Sequence, residues 1–191
     1  MQVLVDVIMV YVFLADGFEE IEALTPVDLL RRAGIKVSLA GVTGEIVTGS
    51  HGIKVLCDIT AKNAADIVCS SEGAEMIVLP GGMPGADNLC ASEDVIRSIK
   101  AMKNSGGFIA AICAAPYILG QMGLLDGRMA TCYPGYEDRL TGAETYECDV
   151  IRDGEIITGR AMGSAVEFAL ELVGALRGED EASRLRDSII A

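Results

Sequence analysis

A chain of 191 residues with 15 basic and 28 acidic side chains, a formal charge of −13 and a pI near 4.4 matches the length of one folded core. It offers no basic surface to a nucleic acid or an anionic membrane. Apolar residues at 51% against charged residues at 23% exclude a disordered polyelectrolyte, so one domain over residues 1–191 is expected.

Val7–Leu14 (VIMVYVFL) is a continuous apolar run closed by Asp16 and Gly17, the pattern of a strand buried on both faces. Glu19–Ala33 has helical spacing but contains Pro26. Thr25, Pro26 and Asp28 read as an internal restart, so a kinked or broken helix is expected there. Gly34 stops it and Ile35–Ala40 follows as a strand. Glu45–Val47 and Ile53–Leu56 flank the Gly49–Gly52 turn as a small edge hairpin. Glu75–Leu79 is another buried strand, ending in Pro80-Gly81-Gly82. Ser92 caps a helix with apolar Val95, Ile96, Ile99 and Met102, closed by Gly106 and Gly107. Phe108–Ile112 reads as strand and Ala114–Met122 as helix.

Short strands at Ala130–Cys132 and Asp149–Ile151 lead to the Asp153-Gly154 turn and the strand Glu155–Thr158. Ser164 with Glu167 forms a capping-box signature for a helix running to Gly178. The tail Glu179–Ala191 is expected to end in a helix with Ile189 and Ile190 turned inward. Buried strands alternating with helices give a doubly wound α/β fold, with a mostly parallel sheet and helices on both faces.

The six cysteines are Cys57, Cys69, Cys90, Cys113, Cys132 and Cys148. None lies in a C-x-x-C pair and His51 is the only histidine, which excludes zinc sites of the common spacings. No secretory leader is read at the start, and the first apolar run is far short of the ~20 residues that span a bilayer. A cytoplasmic chain with reduced thiols and no metal or cofactor is expected.

In a sheet of this kind ligands gather at the carboxyl ends of the strands. Three segments end strands on that rim: Ala15–Glu22, Pro80–Gly85 and Cys113–Ala115. Cys113 occupies the turn between a strand and a helix, where unpaired amides and the helix dipole lower a thiol from ~8.5 into the range ~3.5–7.5. The alternative is a cysteine packed in an apolar core, which is also the first reading for the other five. Gly81 and Gly82 let backbone N–H groups approach a bound oxygen, or simply turn the chain. No Lys-Ser/Thr follows them, so they are not a phosphate loop. Glu19, Glu20 and Glu22 are a solvated acidic first turn unless one of them faces the Cys113 rim.

Gly17–Glu22 (GFEEIE), Pro80–Gly82 (PGG), Ala110–Pro116 (AAICAAP) and Glu167–Leu170 (EFAL) resemble the ThiJ/PfpI superfamily, nearest to its DJ-one branch. The resemblance runs from Val7 to about Gly178 and implies a flavodoxin-like, class I glutaminase-like sheet. It makes Cys113 the reactive cysteine of a nucleophile elbow. Glu22 becomes its protonated carboxyl partner, with Gly82 and Ala114 as backbone oxyanion donors beside Gly81. It also implies a homodimer in which the His51 loop approaches the site of the partner, although His51 reads first as a surface turn residue and Arg32, a candidate for the same entrance, reads first as part of a solvated helix end. Tyr133 stands where many members carry a histidine, and Ala114 where peptidase-like members carry one. With His51 upstream of the cysteine, a Cys–His protease or glutamine amidotransferase is excluded.

The resemblance therefore implies cofactor-free glyoxalase or deglycase chemistry on small reactive aldehydes or glycated substrates. The alternative is an oxidative-stress sensor or chaperone acting through Cys113 oxidation. A thiazole-phosphate (thiamine) role, the third reading, finds no phosphate loop here.

Overall fold

The computed structural model describes residues 8–70 and 73–191, so Val7 of the first expected strand lies outside the described residues. The strands are β1 (Met9–Leu14), β2 (Lys36–Gly41), β3 (Ile46–Thr48), β4 (Lys54–Leu56), β5 (Ile59–Thr60), β6 (Met76–Leu79), β7 (Phe108–Ile112), β8 (Met129–Ala130), β9 (Glu144–Thr145), β10 (Val150–Asp153) and β11 (Ile156–Gly159). The helices are α1 (Glu20–Arg32), α2 (Ala61–Val68), α3 (Gly85–Ala91), α4 (Glu93–Ser105), α5 (Pro116–Gln121), α6 (Ala165–Arg177) and α7 (Glu179–Ile189). Seven strands form one sheet in the order β10-β11-β7-β6-β1-β2-β5. Every pairing in it is parallel except that of β10 with β11.

The period of two along the strands builds a core on each face. Val10, Val12 and Leu14 of β1, with Met76, Val78, Ala110 and Ile112, pack under α1, α6 and α7. Tyr11 and Phe13, with Ile77, Leu79, Ile109 and Ala111, pack under α2, α3, α4 and α5. Both faces of the central strands are thus covered, which is why their sequences are apolar throughout.

Several expectations are corrected. Pro26 does not break α1, which is continuous. Its ring lies on the buried face with Ala23, Val27 and Leu30, so packing offsets the ~3 kcal/mol that an interior proline costs. The hairpin at the Gly49–Gly52 turn is a separate two-stranded sheet rather than an edge of the main one. The helix expected from Ala114 begins at Pro116, after tight turns in which Ala115 N–H bonds to Ile112 O and Tyr117 N–H to Ala114 O. The strand at Ala130–Cys132 shrinks to Met129–Ala130, paired with β9.

The capping box at Ser164 does not form. Its hydroxyl accepts from Ala161 N–H (3.1 Å) and donates to Ala161 O (2.9 Å), while Glu167 pairs with Arg186. Ile190 is 94% exposed and ends α7 in the left-handed region, so only Ile189 of the pair is partly covered. Helices α2 and α3 were not anticipated. Among the described residues no helix is long and apolar enough to cross a membrane.

Candidate functional site

Parallel strands β1, β6, β7 and β11 end on one rim, and the loops leaving them converge on Cys113. Cys113 follows the last residue of β7 with φ +65°, a left-handed conformation that costs a non-glycine residue ~1–3 kcal/mol and is held only where its surroundings fix it. Here its N–H donates to Gly159 O (2.9 Å) and its carbonyl accepts from Tyr133 N–H (2.9 Å). Two neighbouring segments thus clamp the elbow on both sides.

Glu22 stands in the first turn of α1 and is 1% exposed. Its Oε2 accepts from Gly81 N–H at 3.0 Å, Met162 N–H also donates to the carboxyl, and the Cys113 thiol hydrogen-bonds to it. The N–H groups of Gly82 and Ala114 point at the sulfur. Gly81 is required by space: a Cβ there would lie 2.7 Å from both Cys113 Cβ and Glu22 Oε2. Gly82 is required by conformation, with φ +85°.

Burial raises Glu22 to about 7, helped by the charge of Glu19 and opposed by the Cys113, Gly81 and Met162 hydrogen bonds. Burial, then the Glu22 charge and its hydrogen bond, push the Cys113 thiol well above the usual range, against the pull of the Ala114 and Gly82 amides. This reverses the depressed value expected from sequence. Helix α5 begins three residues beyond the thiol and has only six residues, so its dipole is a minor influence. The two acids must be treated as a pair. Burial raises both, so the pair resists a second negative charge and retains a proton between carboxyl and sulfur after the first is lost.

Of the other sequence candidates, Tyr133 lies at the elbow through its backbone bond to Cys113, with its side chain 47% exposed. Arg32 does not belong to the site of its own chain. It sits ten residues along α1 from Glu22, about 15 Å away, and pairs with Asp28 at 2.7 Å. His51 lies on the acidic first turn of α1. Its Nδ1 is 3.0 Å from Glu20 Oε2 and 3.4 Å from Glu19 Oε2, and its N–H donates to Glu20 Oε1 at 2.8 Å.

Burial of Glu20 is outweighed by hydrogen bonds from the His51 ring and backbone and from Ile53, which hold this carboxyl at about 2. The same bond raises His51. Glu19, Glu20 and His51 bring their ligand atoms within 4.8 Å of one another, and these atoms already serve one another, Ser50 and nearby backbone N–H groups.

Sequence reasoning missed Gly159 and Met162. Gly159 ends β11, a parallel neighbour of β7, and Met162 lies in the segment that follows it. A fourth strand end on the same rim was the signal that could have found them. A hollow of about 580 Å³ between β10, α6 and α7 has no comparable constellation. Of the four carboxylates that line it, Glu167 and Glu171 are matched by Arg186 and Arg152, while Asp149 and Glu179 make no ion pair among the described residues.

The fold recurs in known proteins. The protein dj-1beta of Drosophila melanogaster is 37% identical over 182 residues, covering 94% of this chain and 95% of its own. The glutathione-independent glyoxalase DJR-1.2 of Caenorhabditis elegans is 32% identical over 169 residues, 87% of each chain. The structure of oxidized Toxoplasma gondii DJ-1 superposes with a TM-score of 0.89 at 36% identity, over 96% of this chain and 98% of that one. The profile of the DJ-1/PfpI family matches residues 9–175, and on this evidence the chain belongs to the DJ-1/PfpI family.

Proposed function

We propose that Cys113 and Glu22 carry out glyoxalase-type chemistry, without a cofactor, on a small 2-oxoaldehyde such as methylglyoxal. The observation that carries this reading is the buried Glu22–Cys113 contact, which holds a proton near neutrality beside a sulfur faced by two backbone N–H groups. With that proton on Glu22, the sulfur is a thiolate. It attacks the aldehyde carbon, the carbonyl electron pair moves to oxygen, and that oxygen takes the proton from Glu22, leaving a hemithioacetal.

The Glu22 carboxylate then removes the hydrogen from the same carbon as a proton and returns it to the neighbouring carbon. The former ketone oxygen becomes a hydroxyl by taking the proton that the hemithioacetal hydroxyl gives up, and the first carbon becomes a thioester carbonyl. Water cleaves the thioester, releasing lactate and the thiol, so methylglyoxal plus water gives lactate with no external oxidant. The glyoxalase name of the nematode relative supports the assignment.

The test is lactate formation from methylglyoxal. Cys113→Ser abolishes it and Glu22→Gln lowers kcat by about 10²-fold or more, whereas absence of turnover above buffer in the wild type rejects the reading. A second reading, an oxidation sensor, is favoured by the oxidized form of the Toxoplasma relative. It requires Cys113 to gain two oxygens under mild peroxide before the other five thiols react, read by intact and peptide mass. The same family resemblance supports a homodimer. Ile46 and Leu56 face each other across β3–β4 and are exposed, as are Ile53 and Ile21 nearby, and pairing there would carry His51 toward the site of the partner. Light scattering checks this, with Leu56→Glu expected to yield monomer.

A further inference from the structure

The surface is acidic overall, and its few cations are mostly committed. Among the described residues, arginines and His51 make every ion pair, and the lysines make none. Two of these free lysines, Lys100 and Lys103, stand three residues apart on the outer face of α4, where side chains at that spacing are neighbours.

They are not set on a flat polar surface. Lys100 and Ile96 are shared by two adjoining hollows. One, of about 440 Å³, lies toward Cys90. The other, of about 490 Å³, is floored by Met122 and Leu124 and edged by Lys103. From Glu93 to Asn104 the trough follows α4 for about 16 Å, the length of three helical turns. Arg97, which lines the first hollow with Glu93, is neutralised by Asp66 (2.8 Å) and Asp94 (3.1 Å), so the unmatched positive charge is that of Lys100 and Lys103, with the Glu93 carboxylate confined to the Cys90 end.

We propose that this trough along α4 is the docking surface for an acidic amphipathic segment of a partner protein. Its apolar side chains fill the hollows on either side of Ile96, and carboxylates one helical turn apart pair with Lys100 and Lys103. Charge complementarity chooses the occupant. An apolar floor flanked by unpaired ammonium groups selects a ligand that is apolar on one face and anionic at its edge, and an extended open trough suits a helix laid in a groove. A segment with a basic edge would be repelled by the lysines.

A displayed library of random twelve-residue peptides, selected on the full chain, tests this, with the enriched sequences synthesised and measured by fluorescence anisotropy. The enriched peptides are expected to carry two carboxylates at i, i+3 or i, i+4 beside apolar residues. Lys100→Glu/Lys103→Glu should weaken their binding at least tenfold. Lys36→Glu/Lys62→Glu, which has the same net charge and alters exposed lysines on β2 and α2, should bind like wild type. Failure to enrich any peptide overturns the proposal, as do enriched sequences without acidic bias or equal binding by the Lys100→Glu/Lys103→Glu variant. Self-association lost in that variant, seen by sedimentation, places a second copy in the trough instead and equally overturns it.

Discussion

Replacing Glu22 by glutamine should change how stability depends on pH, with a sign opposite to that of most carboxylates. In the folded chain burial lifts Glu22 from 4.5 to about 7, so between these values the native state holds a proton that the unfolded chain has lost. Stability is then greatest below 4.5 and falls as pH rises toward 7. At roughly 1.4 kcal/mol per pH unit the whole effect is about 3 kcal/mol, of which about 2.5 falls between pH 5 and pH 8. The amide introduced by Glu22→Gln cannot ionise, which removes this dependence. Groups such as His51, which is also raised, contribute equally to both proteins and cancel in the comparison. Urea unfolding followed by circular dichroism at pH 5 and pH 8 is the assay. Wild type should lose about 2.5 kcal/mol more than Glu22→Gln across the interval. Parallel losses in the two proteins would refute the claim that a buried, protonated Glu22 underlies the site.

Gly81→Ala places a Cβ 2.7 Å from Cys113 Cβ and Glu22 Oε2. It should cost about 1–3 kcal/mol by overpacking and, by displacing the pair, slow Cys113 alkylation about 10²-fold. Ser164→Ala loses both bonds to Ala161 and frees the segment that brings Met162 N–H to Glu22. Because that N–H lowers the carboxyl, the alkylation midpoint should rise above its wild-type value, which pH-dependent labelling with iodoacetamide measures. In His51→Ala, Glu20 loses the ring hydrogen bond that helps hold it at about 2. The stability contributed by a depressed carboxyl is present above 4.5 and disappears as pH falls toward 2, so acid unfolding of this variant should begin at a higher pH, as followed by circular dichroism.

Much of this architecture is legible in the sequence because the deciding signals are local. Phe108–Ile112 matches β7, Ser92 caps α4 by accepting from Val95 N–H, and the apolar runs of β1 and β6 are those of strands covered on both faces. The position of Cys113 follows from the same logic, since a strand and Pro116 bracket it. What escaped depends on long-range packing. Gly85–Ala91 holds Gly, Asp and Asn, poor helix formers, and becomes α3 because Ala86 and Leu89 bury into the core. Helix α2 was readable, since Thr60 accepts from Asn63 N–H, but its two turns are too short for a periodic signal. Ser164 and Glu167 matched a capping box, yet Ala161 and Arg186 offered better partners. The contribution of Met162 depends on where the loop after β11 lies, which no residue in that loop announces.

The protonation of the site was the least legible feature, because the burial of one carboxyl in an acidic helix turn has no local sequence signature. A strand-to-helix turn suggests a depressed thiol by itself, whereas the folded site sets the thiol against a buried carboxyl and raises both. The difference alters the chemistry. A lone depressed thiol would be fully ionised and strongly hydrated, and would need no acid to react. In the pair, the anion near pH 7 is made by losing one of two protons, and the remaining proton can sit on oxygen or on sulfur. In the proposed reaction, nucleophile and acid then arise together from one internal transfer. Attack by sulfur leaves on Glu22 the proton that the developing alkoxide requires. The same carboxyl, once ionised, is the base for the next step. In the proposed reaction, a site with the only histidine elsewhere in the chain runs acid and base chemistry from two residues, provided that Gly81 keeps them in contact.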